Sequence, residues 1–188
     1  MTAPTLTLIA GANGSGKTTL TSDLWLLRGL SLLDPDAIGK TLQSTAPSMT
    51  PIAAGRRVLQ EAKRHIRNSE SFAVETTLSG QGYLQMMLEA RRAGFQIILI
   101  YIGTERVEIN LARIRDRVIA GGHDVPEPDV RRRYQRSFEN LPTAMSRADH
   151  TVLFDNSTEE GYRLVAVLGP SENHWFEPLP LWAVPIQS

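Results

Sequence analysis

The sequence predicts an α/β fold built on a mainly parallel sheet, and three observations carry that prediction. An apolar run (Leu6, Leu8, Ile9) leads straight into Gly11-Ala12-Asn13-Gly14-Ser15-Gly16-Lys17-Thr18 and then into a helix-compatible segment. Further short apolar runs alternate with segments of helical period, the pattern that right-handed βαβ crossovers produce. Residues 95–102 read Phe-Gln-Ile-Ile-Leu-Ile-Tyr-Ile, almost continuously apolar, as a strand buried on both faces should be. At 188 residues the chain suits one domain over 1–188, with room for a five- or six-stranded sheet covered by helices on both faces.

Taken in order, the first strand is expected over about 5–10 and the first helix over 18–28, with Gly29 as its stop. Ser31-Leu32-Leu33 is a short strand ending at Asp34-Pro35-Asp36, where Pro35 biases Asp34 toward extended geometry. The Ser-, Thr- and Pro-rich stretch 44–51 reads as loop. Residues 52–68 have helical spacing, with Ile52, Val58, Leu59, Ala62 and Ile66 on one face. Phe72-Ala73-Val74 is a third strand running into Glu75-Thr76-Thr77, and 83–93 is a helix capped by Gly94. After the strand at 95–102, a helix over 105–120 carries Val107, Leu111, Ile114 and Val118 on one face and stops at Gly121-Gly122. Residues 129–145 are helical, with an interruption or shift expected at Pro142. Residues 151–154 make a fifth strand and 164–168 a sixth. The tail from Pro170, with Trp175, Phe176 and Trp182 among prolines, is too aromatic for a linker and is expected to pack across the domain surface.

Composition narrows the function classes. The net charge is zero, which offers no global electrostatic case for nucleic acid or an anionic membrane as partner. There are no cysteines, so disulfides and thiolate metal sites are excluded. No run approaches the length of a membrane span and no leader pattern opens the chain, so the expectation is a soluble cytoplasmic protein.

The segment 11–18 has the spacing of a P-loop: two glycines five positions apart (Gly11, Gly16), then Lys-Thr. Its glycines let the backbone present N–H groups to an oligophosphate, and the following helix points its positive end at the same anion. Gly11 to Thr19 are therefore the expected nucleotide contacts, with Lys17 reaching the β- and γ-phosphates and Thr18 ligating Mg²⁺. In open α/β sheets ligands bind beyond the carboxyl ends of the strands. On that rim the sequence places Asp34 and Asp36, then Glu75, Thr76 and Thr77, then Asp155 and Asn156. Asp36 is the candidate base for an acceptor hydroxyl, or else the cap of a turn. Glu75 ends an apolar run as a Walker-B-like acid does, and could hold the metal's water shell or the acceptor, or serve as a capping carboxylate. Arginines 113, 115, 117, 131, 132, 133 and 136 lie on two helices joined through Gly-Gly-His-Asp-Val-Pro, the layout of a lid over phosphates. Arg113 and Arg117 share a face, whereas Arg115 and Arg133 are expected at the solvated surface. A nucleic-acid patch is the other reading of the cluster, disfavoured because only Tyr134 and Phe138 are interleaved aromatics. His123 has no second ligand at metal spacing and reads as a loop contact.

Together these segments resemble the zeta-toxin-like family of P-loop kinases. The resemblance rests on Gly-Ala-Asn-Gly-Ser-Gly-Lys-Thr-Thr-Leu at 11–20, Asp-Pro-Asp-Ala-Ile at 34–38 and Ser-Phe-Ala-Val-Glu-Thr-Thr-Leu-Ser-Gly at 71–80. Arg-Val-Ile-Ala-Gly-Gly-His-Asp-Val-Pro at 117–126, Arg-Arg-Tyr at 132–134 and Asp-Asn-Ser at 155–157 extend it over about 5–157. It implies a three-layer P-loop kinase fold with the P-loop strand central in a five-stranded sheet. It also implies ATP- or GTP-dependent phosphorylation, with Mg²⁺, of a small-molecule hydroxyl such as the sugar 3′-hydroxyl of UDP-N-acetylglucosamine. By resemblance Asp36 is the base, Glu75 and Thr77 contact substrate or metal, Thr18 serves the metal, and Arg117 and Arg132 meet the transferring phosphoryl; Arg113, on the face of Arg117, is also expected at the substrate. A kinase of another acceptor, a nucleotide-gated switch, and the toxin of a toxin–antitoxin pair held by an antitoxin are the competing readings.

Overall fold

The computed structural model describes residues 2–23, 29–35, 38, 51–171 and 173–187. Seven strands form one sheet: β1 (Thr5–Ala10), β2 (Ser31–Leu33), β3 (Phe72–Thr76), β4 (Gln96–Gly103), β5 (His150–Asp155), β6 (Arg163–Leu168) and β7 (Asn173–Trp175). Their spatial order is β2-β3-β1-β4-β5-β6-β7. The first five positions are parallel and put β1 in the middle; β6 and β7 add antiparallel at one edge. The sheet is therefore one or two strands larger than the expected six or five. β7 comes from the tail, where a three-residue edge strand of Asn, His and Trp leaves no apolar alternation to read.

The described helices are α1 (Lys17–Asp23), α2 (Pro51–Asn68), α3 (Gln81–Arg92), α4 (Val107–Ile119), α5 (Glu127–Arg147) and the short α6 (Val184–Gln187). The loop expected over 44–51 lies outside the described residues apart from Pro51, which opens α2. Alternation along the central strands sends two sets of side chains to opposite faces. Leu6, Leu8, Val74, Ile97, Leu99 and Tyr101 face the main core with α2, α3 and α5, while Ile9, Ala73, Ile100 and Ile102 face Leu20 of α1. A third small cluster of Leu111, Ile114, Val125 and Val130 joins α4 to α5.

Helix α5 runs through Pro142 without a break in its assignment, against the interruption expected there. Proline removes one helical N–H donor. The helix continues because Leu141 and Ala144, on either side, are fully buried in the main core. The tail also enters that core: Ala183 is fully buried, and the Trp182 ring packs against Tyr101 and Phe138 at centroid distances of 5.9 and 5.7 Å.

Candidate functional site

The phosphate loop connects the C-terminal end of β1 to α1, between β3 and β4 at the point where the strand order reverses. Gly14 and Gly16 adopt left-handed backbone, φ 77° and 101°. An added Cβ would meet Asn110 backbone at 2.6 Å from Gly14 and the Asn156 amide nitrogen at 2.6 Å from Gly16. Glycine is required at both positions by torsion and by space.

Three side chains hold the loop's carbonyls from behind. Asn110 Nδ2 donates to the Asn13 carbonyl (2.7 Å), Asn156 Nδ2 to that of Ser15 (2.9 Å), and the Tyr162 hydroxyl to that of Gly16 (2.7 Å). Lys17 Nζ donates to the Ala12 carbonyl at 3.0 Å. The backbone N–H groups of Asn13, Gly14 and Gly16 have no acceptor among the described residues. With carbonyls drawn back and N–H groups left over, the loop is a nest for an anion. The Ser15 hydroxyl is buried there without a partner among the described residues, a further unsatisfied polar atom inside the loop.

Glu75, near the end of β3, sits opposite Ile9 of β1 in the parallel register. Thr18 Oγ1 donates to Glu75 Oε2 at 3.1 Å and Thr21 Oγ1 to Oε1 at 2.5 Å. The residue is 4% exposed, and burial pushes its carboxyl up; Asp34 adds to that, while the Thr21 and Thr18 hydrogen bonds and the Lys17 charge oppose it. Among the described residues no three His, Cys, Asp or Glu side chains gather as a metal cage. One hydroxyl and one carboxylate beside a phosphate nest match a hard cation that takes most of its oxygens from phosphate and water. Thr77 lies one residue past β3, its hydroxyl 2.8 Å from that of Ser79. Leu78 between them holds φ 55°, a strained value for a non-glycine residue, fixed by Asn140 Nδ2 on its carbonyl (2.8 Å) and by its own N–H on Thr76 Oγ1 (2.9 Å). Asp36 lies outside the described residues.

The arginines divide sharply. Arg133 Nη1 donates to Asn13 Oδ1 at 3.2 Å, so this residue reaches the phosphate loop and is not at the solvated surface where it was expected. The physical reason is helix phase. Val130, Ser137, Leu141 and Ala144 form the buried stripe of α5, and Arg133 falls on it, three residues after Val130 and four before Ser137. Arg132, the neighbour favoured from resemblance, points to an exposed pair with Asp129 at 2.7 Å. Arg117 Nη2 donates to the His123 carbonyl at 2.7 Å, tying down the Gly-Gly loop, while its buried Nε has no partner among the described residues. Arg113 braces the end of β5, donating to the Asn156 carbonyl (2.8 Å) and the Thr158 carbonyl (3.3 Å). Arg115 is exposed, as expected.

An AAA domain family, AAA_33, matches residues 6–141, nearly three-quarters of the chain. The chain belongs to this family. An uncharacterized protein of Haemophilus influenzae is 41% identical to this AAA-domain protein over 127 residues, covering 66% of this chain and 88% of its own. Among solved structures, the AvrRxo1-ORF1:ORF2 complex with ATP superposes with TM-score 0.69 at 19% identity over 92% of this chain. The PezAT chromosomal toxin–antitoxin system of Streptococcus pneumoniae superposes with TM-score 0.65 at 17% identity, covering 98% of this chain and 77% of that one. The present chain spans about three-fifths of the AvrRxo1 chain. These likenesses establish a shared P-loop kinase-type α/β fold. The PezAT superposition, at 98% of this chain, extends beyond the residues of the family match.

Asn110, Asn156, Tyr162 and Arg133 are the site residues that sequence reasoning did not assign. Asn156 had a signal, since it stands on the strand-end rim after β5. Arg133 had one too, in the apolar stripe it interrupts.

Proposed function

We propose that this AAA-domain protein is a nucleoside-triphosphate-dependent phosphotransferase acting on a hydroxyl of a small molecule. The observation that carries the reading is the juxtaposition at Asn13: the phosphate nest, Lys17 and the Thr18–Glu75 pair lie on one side, and a partly buried arginine from a separate helix reaches in from the other. A simple binding module needs the nest. It does not need a second positive charge brought to the phosphate loop by another element.

In the reaction the acceptor oxygen bonds to the γ-phosphorus as the bond to the β,γ-bridging oxygen breaks. The nucleoside diphosphate leaves with that oxygen, and the acceptor proton passes to a base. Asp36, just past β2, is the sequence's candidate for that base. The loop N–H groups and Lys17 bind and align the phosphates, and Arg133 meets the charge that builds on the transferring group. Thr18 and Glu75 would hold magnesium, which when bound neutralises phosphate charge. The nucleotide sugar UDP-N-acetylglucosamine is the leading acceptor, supported by the Glu-Thr-Thr-Leu-Ser and Gly-Gly-His-Asp-Val-Pro segments that resemble zeta toxins. AvrRxo1-ORF1 is in complex with ORF2 and PezAT is a toxin–antitoxin system, which supports a partner protein for this chain as a subordinate proposal.

The test is ³¹P NMR of the protein with Mg·ATP or Mg·GTP and a panel of UDP-sugars, free sugars and other hydroxyl compounds. A new phosphomonoester resonance that requires UDP-N-acetylglucosamine is the expected result. A resonance with a different acceptor replaces the substrate, and no transfer to any of them removes the phosphotransferase reading.

A further inference from the structure

The tail of the chain, beyond the family match, is wired to both halves of the site. Trp182 Nε1 donates to Asp155 Oδ1 at 2.9 Å, and the Ser157 hydroxyl donates to the same oxygen at 2.6 Å. Arg163 Nη2 stands 3.8 Å from Asp155 Oδ2 while its Nη1 donates to the Pro178 carbonyl at 2.7 Å, a second strap from β6 to the tail. Asp155 is 6% exposed, so its acceptors cannot turn to water instead. The next residue is Asn156, whose N–H bonds the Gly103 carbonyl (2.9 Å) and whose side chain holds the Ser15 carbonyl of the phosphate loop. On the other side the Trp182 ring lies 5.7 Å from Phe138, which packs edge-on against Tyr134 at 5.0 Å; both belong to α5, and Tyr134 adjoins Arg133 in sequence. The Tyr134 hydroxyl completes the circuit by donating to the Thr104 carbonyl at 2.6 Å. The fit is close: a Cβ on Gly103 would clash with the indole, with Cε2 nearest and Cζ2 next at 2.6 Å.

We propose that Trp182 is a positioning residue of the nucleotide site, setting the phosphate loop through Asp155 and Asn156 and setting the arginine-bearing helix through Phe138. This rests on reading the loop as the nucleotide site. A tail that merely covered the sheet edge would need an apolar ring and no more. Trp182 instead spends its one polar atom on the buried carboxylate adjacent to the loop's tether. The coupling runs both ways by linkage: nucleotide on the loop must firm up the tail by as much as the tail firms up nucleotide binding.

The experiment measures the affinity of a fluorescent ATP analogue with Mg²⁺ for the wild type and for Trp182→Phe, which keeps a ring and deletes the N–H, alongside their melting curves. The expected result is about tenfold weaker binding in Trp182→Phe, within the ordinary range of coupling between linked sites, with little change in melting temperature. A variant that melts earlier but binds as tightly as wild type reduces Trp182 to a packing residue and overturns the proposal. Hydrogen exchange of the Trp182 indole N–H in the wild type gives a reading independent of any variant. It is expected to slow when nucleotide binds, and an unchanged rate likewise overturns the proposal. Failure of the wild type to bind nucleotide would instead sink the phosphotransferase reading itself, so the two failures are distinguishable.

Discussion

The phosphate loop and the two arginine helices meet at Asn13, yet their polar groups are held in opposite ways. The loop's carbonyls are tied by Asn110, which is fully buried, by Asn156, which is nearly so, and by Tyr162. On the outer face of α5, Arg131 and Arg132 are tied to carboxylates at the surface, Arg131 to Glu108 and Glu127 and Arg132 to Asp129, while Arg113 and Arg117 of α4 hold backbone carbonyls. A buried hydrogen bond that loses one partner strands the other away from water, whereas an exposed ion pair exchanges its partner for water at almost no cost. The phosphate loop is therefore set in advance of any ligand, and the ion-paired outer face of α5 is free to rearrange. Arg133, on the buried stripe of α5, is the exception that joins them.

The largest effect should come from breaking that junction. Arg133→Ala is expected to lower turnover on the order of 10³-fold, the scale at which an arginine that meets a transferring phosphoryl acts. Nucleotide affinity should change far less and the melting temperature only slightly; steady-state kinetics and a binding titration separate these. Arg133→Lys should recover only part of the loss, because an ammonium cannot present a two-pronged planar donor. Equal losses in affinity and turnover would instead make Arg133 a binding group only.

Attacking the fixed side should shift affinity and stability together. Asn156→Ala leaves the Ser15 carbonyl buried without its donor, a cost of about 1–3 kcal/mol, and frees the loop to close on itself. We expect at least tenfold weaker nucleotide binding and a melting temperature lower by several degrees. The effect should exceed that of Trp182→Phe, which acts through the same asparagine. A smaller effect than Trp182→Phe would mean that the tail reaches the loop by another route.

What could be read in the sequence follows the same divide. The phosphate loop is eight consecutive residues whose torsions and donors are local, so spacing alone placed it. Glu75 was legible because a carboxylate ending an apolar run is costly to bury without a use. The choice among Arg131, Arg132 and Arg133 was not resolved by charge, because adjacent residues on a helix point about 100° apart and the docking phase decides between them. That phase is set by Val130, Ser137, Leu141 and Ala144 against the core, a long-range fact. The ties from Asn110, Asn156 and Tyr162 span 97, 141 and 146 residues, and no local pattern announces them. The Trp182 contact escaped for the same reason.

Glu75 lies between the two sides and supplies a test by pH. Its carboxyl is pushed up in the folded protein, chiefly by burial, so the folded state favours the protonated form. The sign follows: ionised Glu75 costs stability at neutral pH, and the cost fades as the pH falls through the folded value toward the ordinary carboxylate range. Glu75→Gln should therefore melt a few degrees higher than wild type at pH 7 without nucleotide, with the gap closing near pH 4, while losing most metal-dependent transfer. A variant less stable at pH 7, with no convergence in acid, would show that the Thr18 and Thr21 hydrogen bonds outweigh the burial of the charge.

The smallest effect is the most discriminating. Arg132 differs from Arg133 by one position, carries the same charge and stands in the same Arg-Arg-Arg run, so any long-range electrostatic contribution to phosphate binding is nearly equal for the two. Its guanidinium is half exposed and paired at i,i+3 with Asp129, an arrangement that salt screens and water replaces. Arg132→Ala should leave turnover within about twofold of wild type, an amount that exposed ion pairs typically allow, with nucleotide affinity and melting temperature barely moved. Because charge is removed in both variants, the difference between Arg132→Ala and Arg133→Ala isolates position on the helix from charge. If Arg132→Ala proved the more damaging, α5 would have to turn on the core during turnover. That would carry Arg133 off Asn13 and expose the stripe from Val130 to Ala144, a rearrangement the main core opposes.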